Sequence, residues 1–206
     1  MAFAALAGLV ASGATTGLDQ WAADHAMPLA GRPLGPPTFL ESVVPLLRAP
    51  FHPAGTAVAQ IVTLPGQVVV SLLLVAVAAW RIGRPTWVFA WLFAVVVEVV
   101  IRHVLSRPPL HRDGVHLAGL DMSWPSGHAL RCSLVAVALA AAWPRLRLPL
   151  GIWLVVAVVL LELAGFHTPT DVVGGLLLAV IAAIGVGELD RSGLFRRWAA
   201  LRRPRG

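Results

Sequence analysis

Apolar stretches long enough to cross a lipid bilayer recur along this chain of 206 residues. About 20 apolar residues of α-helix cross the hydrocarbon core of a membrane, and a helix pairs its own backbone polar groups, as lipid requires. Only 13% of the residues are charged, a share that soluble domains rarely show. The sequence therefore predicts an all-α, polytopic membrane protein, a bundle of six transmembrane helices at residues 2–18, 57–80, 86–105, 127–143, 148–165 and 171–189.

The polar segments are too short for a second domain, so residues 1–206 are predicted to form one membrane-embedded domain. The first span is similar to the apolar core of a signal peptide, but no Lys or Arg precedes it, which favours a retained span. Residues 19–56 combine several Pro and Gly with amphipathic pieces. They predict an interfacial helical loop between the first two spans.

All sixteen basic residues are arginine, and their distribution predicts an orientation. With six spans, ten arginines fall on one side of the membrane, six of them in a basic tail at 190–206, and four fall in loops on the other side. The positive-inside rule then places both termini in the cytoplasm, most simply at the plasma membrane. The net charge of +6 favours contact with anionic lipid headgroups. A nucleic-acid partner is not expected, because no soluble basic domain with stacking aromatics is present.

Trp-Pro-Ser-Gly-His at 124–128 opens the fourth predicted span. The first turn of a helix carries free N–H groups and a partial positive charge, and therefore attracts anions. Ser126 adds a hydroxyl donor, and Gly127 lets a phosphate approach the backbone closely. A plain helix start with Ser126 as the N-cap explains the same residues, so both interpretations stay open.

His-Thr-Pro-Thr-Asp at 167–171 precedes the sixth predicted span. Thr168 and Pro169 suit the N-cap and the first helical position, and Asp171 suits the helix dipole, which is again a purely structural explanation. In the functional interpretation, Asp171 accepts a hydrogen bond from one nitrogen of His167 and leaves the other to attack phosphorus. Both motifs fall on the outer face, where His128 and His167 flank one phosphate as general acid and nucleophile.

These motifs resemble those of the type 2 phosphatidic acid phosphatase superfamily of integral membrane lipid phosphatases. Residues 125–128 match its Pro-Ser-Gly-His motif, and His167 and Asp171 match the reactive end of its third motif, Ser-Arg, five residues, His, three residues, Asp. The resemblance covers residues 102–171, and the six-span layout extends it to nearly the whole chain. It implies that His167 is the nucleophile, that His128 protonates the leaving group, and that no metal or other cofactor is needed.

The cationic positions of that family are altered in this chain. Its first motif is Lys, six residues, then Arg-Pro; here either Arg102 stands for the Lys or Arg107-Pro108 stands for the Arg-Pro, and the spacing does not satisfy both. In the third motif, Leu160-Leu161 replaces Ser-Arg. Losing two charge-assisted contacts of roughly 1.5–3 kcal/mol each weakens the binding of the transition state.

Other arginines are candidates to replace the missing charge. Arg131 lies inside the fourth span, where an arginine costs roughly 2.5–3.5 kcal/mol and needs a partner or a role. We expect it to reach the phosphate, to pair with Glu162, or both, and we expect Arg112 to be a second candidate. Glu98 and Arg102 are predicted to form an i, i+4 pair that positions Arg102.

The sequence thus predicts hydrolysis of a lipid phosphate or diphosphate at the outer face. The resemblance favours a polyprenyl diphosphate. The predicted phosphate-binding residues are Arg102, Arg107, Ser126, Gly127, Arg131 and Arg112. The histidines and aspartates of the loop at 103–121 match no tight zinc spacing, so a metal is not expected. A catalytically silent lipid-phosphate-binding relative and a lipid phosphotransferase remain alternatives. Gly174 and Gly175 permit close helix packing within one chain or between chains.

Overall fold

The computed structural model describes residues 1–27 and 54–192. Most of the predicted interfacial loop, residues 28–53, and the basic tail beyond residue 192 lie outside the described residues. Residues 19–25, which were predicted to begin that loop, instead belong to a helix. The regular secondary structure of the described chain is helical apart from one short hairpin, which confirms the all-α class.

The helices, in chain order, are α1 (Ala2–Ala11), α2 (Thr16–His25), α3 (Ala54–Thr63), α4 (Val68–Ile82), α5 (Thr86–Val104), α6 (Gly127–Ala142), α7 (Arg147–Leu163) and α8 (Pro169–Ser192). Short 3-10 turns follow α3, precede α6 and precede α7, at Leu64–Gly66, Ala118–Leu120 and Pro144–Leu146. Between α5 and α6, strands β1 (His111–Arg112) and β2 (Val115–His116) pair antiparallel.

The helices support a membrane protein, but the six predicted spans are not confirmed. Three segments are long and apolar enough to cross a bilayer: Thr86–Val104, Pro144–Leu163 and Pro169–Ser192. Two bent helix pairs bring the number to five if each pair is counted as one span: Ala2–Ala11 with Thr16–His25, and Val58–Gly66 with Val68–Ile82. The fourth predicted span forms α6, whose 16 residues are fewer than a full crossing needs.

Both bends have a local cause in the sequence. Residues 2–18, predicted to be one span, divide into two helices that meet at 78°, and Gly13 between them has φ +76°, a conformation that glycine adopts at little cost. Residues 57–80 divide at Leu64–Gly66, where the two helices meet at 49°. Pro65 has no N–H to continue the ladder of α3, so the helix ends there.

Helix α6 occupies the centre of the bundle and packs against α4, α5, α7 and α8. Its buried side chains are mostly small, and they meet apolar side chains of α4, α5 and α8 in the largest core cluster. Small residues let helix backbones approach closely, which is how helices associate when lipid surrounds them. The first turn of α6 therefore lies beside the end of α5 and the start of α8.

Candidate active site

The two predicted reactive histidines lie side by side at one end of this bundle. His128 is in the first turn of α6, and His167 precedes α8. Their ring centroids are 6.2 Å apart, and the ring planes are inclined at 50°. His167 is buried, whereas His128 is partly exposed. The separation is short enough for both rings to contact the same phosphate-sized group.

Direct hydrogen bonds hold the two histidine motifs together. The Ser126 N–H donates to the carbonyl oxygen of Asp171 over 2.8 Å, and the Trp124 indole donates to the carbonyl of Thr170 over 3.1 Å. Gly175 makes this approach possible, because a Cβ there would lie 2.3 Å from the Ser126 carbonyl oxygen. Gly174 and Gly175 thus serve packing inside one chain.

Ser126 is the N-cap of α6, as its structural interpretation predicts. Its backbone is extended, and its Oγ accepts a hydrogen bond from the Ala129 N–H over 3.2 Å. This satisfies one of the free donors of the first turn. A hydroxyl that accepts can still donate its own proton, so the cap does not prevent Ser126 from binding a phosphate oxygen.

Asp171 lies beside His167 without bonding to it. The distance from His167 Nδ1 to Asp171 Oδ2 is 3.7 Å, too long for a hydrogen bond. That oxygen already accepts from the Ser123 hydroxyl at 2.5 Å and the Thr168 N–H at 2.9 Å. His167 Nδ1 is buried and has no partner within the described part of the chain. Catalytic hydrogen bonds are often long before substrate binds and tighten in the complex.

Arg107 was predicted to hold phosphate, but in the structure it binds two carboxylates. Its Nη1 donates to Asp171 Oδ1 and its Nη2 donates to Asp19 Oδ2, each over 2.7 Å. Nη1 also donates to Thr168 Oγ1 over 3.1 Å. The arginine is buried, and its contacts lie on Asp171 and Thr168, so that it holds the loop that carries His167 in place.

Asp19 is the residue of this network that the sequence interpretation missed. It lies on α2, is 0% exposed, and also accepts the Thr170 hydroxyl over 2.6 Å. The segment was interpreted as an interfacial loop, in which an aspartate needs no explanation. Had the helix been recognised, an ionisable residue in an apolar bundle would have been a candidate for a site.

A second ion-pair network joins Arg131 to α5. Arg131 Nη1 pairs with Glu98 Oε2 at 2.8 Å, so the expected partner Glu162 is wrong. Glu98 Oε1 lies 3.4 Å from Arg102 Nη1, which confirms the predicted i, i+4 pair. Arg131 Nε also donates to the Gly66 carbonyl over 2.6 Å. The carbonyl is available because the chain turns between α3 and α4 at this point.

Glu98 also explains why residue 127 is glycine. A Cβ on Gly127 would lie 2.2 Å from Glu98 Oε1 and 2.7 Å from Arg131 Nη1. The space above this glycine was expected to admit a phosphate, and in the structure it holds the Glu98 carboxylate. An anionic oxygen therefore does approach the first turn of α6, but it belongs to the protein.

Arg112 lies apart from these contacts. It is in β1, donates to the Met27 carbonyl oxygen, and lies 4.0 Å from Asp113. None of its contacts among the described residues reaches either histidine. Within residues 1–27 and 54–192, no three His, Cys, Asp or Glu side chains are grouped so that they could hold a metal ion.

The arrangement offers two imidazoles, the first turn of a helix, and arginines whose charges are partly compensated. Arg102 Nε is buried without a partner among the described residues. Comparisons of the chain with protein-family models, curated proteins and solved structures found no match.

Proposed function

We propose that this protein hydrolyses a lipid phosphate or diphosphate through a phosphohistidine intermediate. The observation that supports this most is the pair of imidazoles, His128 and His167, whose centroids are 6.2 Å apart at the end of an apolar bundle. The Asp171 carboxylate lies behind His167. A nucleophile that lies beside a carboxylate and faces a second proton-transfer group suits covalent catalysis.

In the first step, the ring nitrogen of His167 that faces away from Asp171 attacks phosphorus. The N–P bond forms as the bond from phosphorus to the lipid oxygen breaks, and His128 gives its proton to that oxygen. In the second step, water attacks phosphorus, the N–P bond breaks, and His128 takes the proton from the water. Inorganic phosphate leaves, and both histidines return to their starting states.

Phosphoryl transfer depends mainly on positioning and on charge stabilisation. We assign the phosphate oxygens to the N–H group of His128, to the Ser126 hydroxyl, and to Arg102, whose side chain is 31% exposed. Gly127 is left out, because the Glu98 carboxylate fills the space above it. Arg131 adds positive charge from one turn deeper in α6. Arg107 stabilises the loop that carries His167 by binding Asp171. Arg112 is a weaker candidate for binding the phosphate, because its contacts within the described residues do not reach either histidine.

The substrate class follows from the surroundings of the site. The bundle exposes many large apolar side chains, as a lipid-embedded protein does. A lipid substrate would enter sideways from the leaflet at which the histidines lie. We propose that this leaflet is the outer one of the plasma membrane and that both termini are cytoplasmic, because the arginine distribution favours that orientation if α6 also crosses and six spans form. We favour a polyprenyl diphosphate among the possible substrates.

A catalytically silent lipid-phosphate-binding protein is the second candidate. It is favoured by the compensation of Arg102, Arg107 and Arg131, each of which pairs with at least one carboxylate. A lipid phosphotransferase shares the first chemical step with the hydrolase and differs only in the acceptor, which is another lipid or a sugar instead of water.

Phosphate release from polyprenyl, phosphatidyl and phosphoribosyl lipids, measured with the purified protein in detergent, tests the proposal. His167→Ala is expected to abolish release. His103→Ala is the matched control, because His103 is an exposed histidine near the end of α5. Parallel assays in EDTA test the independence from metal. Phosphate transferred to a second lipid instead of water would identify the phosphotransferase.

The covalent intermediate can be tested separately with an aryl phosphate, whose leaving group needs no protonation. His128→Ala is then expected to complete the first step and to accumulate acid-labile, alkali-stable phosphohistidine, because the base for the second step is missing. A His167→Ala protein as active as the parent would remove the hydrolase as drawn. Phosphate binding without turnover would favour the silent relative.

A further inference from the structure

The N-terminal helix pair reaches the site through one buried carboxylate. Asp19 on α2 accepts from Arg107 Nη2 at 2.7 Å, from the Thr170 hydroxyl at 2.6 Å, and from the Thr170 N–H at 3.3 Å. The side chains of Asp19 and Arg107 are 1% and 3% exposed. Asp19 therefore contacts both the arginine that binds Asp171 and the residue next to Asp171.

The bend between α1 and α2 belongs to the same arrangement. Gly13, in the bend, faces Pro108, and a Cβ there would lie 3.0 Å from the proline ring. The turn of the chain at residues 12–15 and the start of α2 thus lie against the segment Arg107-Pro108. Two separate contacts of the N-terminal pair, one steric with Pro108 and one ionic with Arg107, therefore converge on the segment whose arginine binds Asp171.

The charges explain why a second carboxylate is useful here. Arg107 alone would balance the negative charge of Asp171. A carboxylate whose charge is balanced in this way attracts a positively charged histidine only weakly. With Asp19 on the other terminal nitrogen, one guanidinium is shared by two carboxylates. When both carboxylates are ionised, the group carries a net charge of −1 beside His167. Because these groups are buried, the attraction between their net negative charge and a positively charged His167 is strong, since a desolvated charge interacts strongly with its neighbours.

We propose that Asp19 is a positioning residue for the reaction: by sharing Arg107, it keeps the Asp171 carboxylate fixed and negatively charged beside His167. This inference rests on the proposed function, since it concerns the reactivity of His167. Asp19 does not contact the substrate. It acts on the attacking histidine, so it governs the rate of the chemical step and leaves binding of the phosphate unchanged.

Asp19→Asn tests this role, because it removes the charge and keeps the size of the side chain. Asp24→Asn is the matched control, since Asp24 lies on the same helix but is exposed. Thr170→Val is the second variant: it keeps the shape of the side chain and removes the hydroxyl that donates to Asp19. For each protein, kcat and KM for the lipid phosphate, the Kd for orthovanadate and the thermal midpoint are measured in detergent.

Asp19→Asn is expected to lower kcat about 10- to 100-fold, as misplacement of a reacting group does, with KM and the vanadate Kd within about twofold of the parent. Thr170→Val is expected to lower kcat less, again at constant KM, and Asp24→Asn is expected to match the parent. This split separates positioning from a purely structural role, which would lower the thermal midpoint and leave kcat of the folded protein unchanged.

Three results would overturn the proposal. Parental kcat in Asp19→Asn would show that Asp171 needs no second carboxylate. A raised KM and weaker vanadate binding would show that Arg107 holds the phosphate directly and that Asp19 orients it for that purpose. If Asp19→Asn does not fold, parental kcat in Thr170→Val is the deciding result. A parent protein that releases no phosphate from any lipid instead refutes the proposed function itself, and the role of Asp19 with it.

Discussion

Replacing Gly175 by alanine is expected to separate the two helices that carry the histidine motifs. The new Cβ would lie 2.3 Å from the Ser126 carbonyl oxygen and 3.1 Å from the Leu130 N atom. Ordinary contacts of this kind begin at 3.4 Å, so the gap is short by about 1 Å. Both obstacles are backbone atoms, one in the N-cap and one in the first turn of α6, which no rotation of a side chain can move aside. The start of α8 must therefore shift away from the start of α6.

The expected cost has two parts. Overpacking of a tight interface destabilises a protein by about 1–3 kcal/mol, and the better helix propensity of alanine offsets about 0.5–1 kcal/mol of that. A shift of about 1 Å between His128 and His167 is expected to lower the rate about 100-fold if both act on one phosphate. The stability loss does not depend on the proposed function, whereas the rate loss does.

Gly185→Ala is the matched control, because Gly185 lies on the same helix and a Cβ there meets nothing within 4 Å. Thermal unfolding in detergent is expected to show Gly185→Ala at or slightly above the parent and Gly175→Ala clearly below it. Phosphate release is expected to follow the same order. Equal stability of the two variants would refute the close approach of α6 and α8, and with it the placement of the two histidines.

Two other substitutions probe the surroundings of α6. Arg131→Ala leaves Glu98 buried without its closest partner. The variant is therefore expected to lower the free energy of unfolding by about 3–5 kcal/mol and to weaken vanadate binding. Unchanged turnover and unchanged vanadate affinity would show that Arg131 does not bind the phosphate. Gly66→Ala places a Cβ 2.7 Å from Cys132 Sγ. It is expected to destabilise the protein, and Cys132→Ala is expected to restore part of that loss in the double variant, which chemical or thermal unfolding would measure. Additive effects of the two would contradict the contact.

The sequence predicts the uninterrupted helices well because their signals are local. Residues 86–105 and 127–143 were expected to be helical, and α5 and α6 cover Thr86–Val104 and Gly127–Ala142. Polar or helix-breaking residues bound these apolar runs, and Ser126 caps the second of them. Apolar run length and capping residues are properties of a short window, so no knowledge of tertiary structure is needed.

The two bends show where that approach fails. Gly13 and Pro65 lie inside apolar runs, and average hydrophobicity over a window of 20 residues is insensitive to one such residue. Pro65 is a recognisable helix breaker, but whether it kinks a span or ends it depends on what the freed backbone groups meet. Here the Gly66 carbonyl meets Arg131, a contact across 65 residues of sequence.

Ion-pair partners are equally inaccessible from the sequence. In the six-span prediction, Glu162 lies at a depth similar to that of Arg131, so the sequence favours it as a partner, whereas the structure pairs Arg131 with Glu98. The order of helices around α6 decides between them. Asp19 and Asp171 are separated by 152 positions in the chain, and only the folded bundle brings them to one guanidinium.

Burial of arginine in an apolar bundle links the stability of this site to its chemistry. An arginine inside a membrane protein is tolerated when a carboxylate compensates it, and Arg102, Arg107 and Arg131 are all compensated by Asp19, Glu98 or Asp171. The same carboxylates reduce the positive charge that a phosphate would meet. A site of this kind has to recognise phosphate through directed hydrogen bonds, from the first turn of α6, the Ser126 hydroxyl and the unpartnered Nε of Arg102, more than through net charge. Under the proposed function, the altered arginine positions of the sequence and the paired arginines of the structure lead to the same expectation: selectivity for a lipid phosphate would depend on the placement of hydrogen-bond donors around His128 and His167.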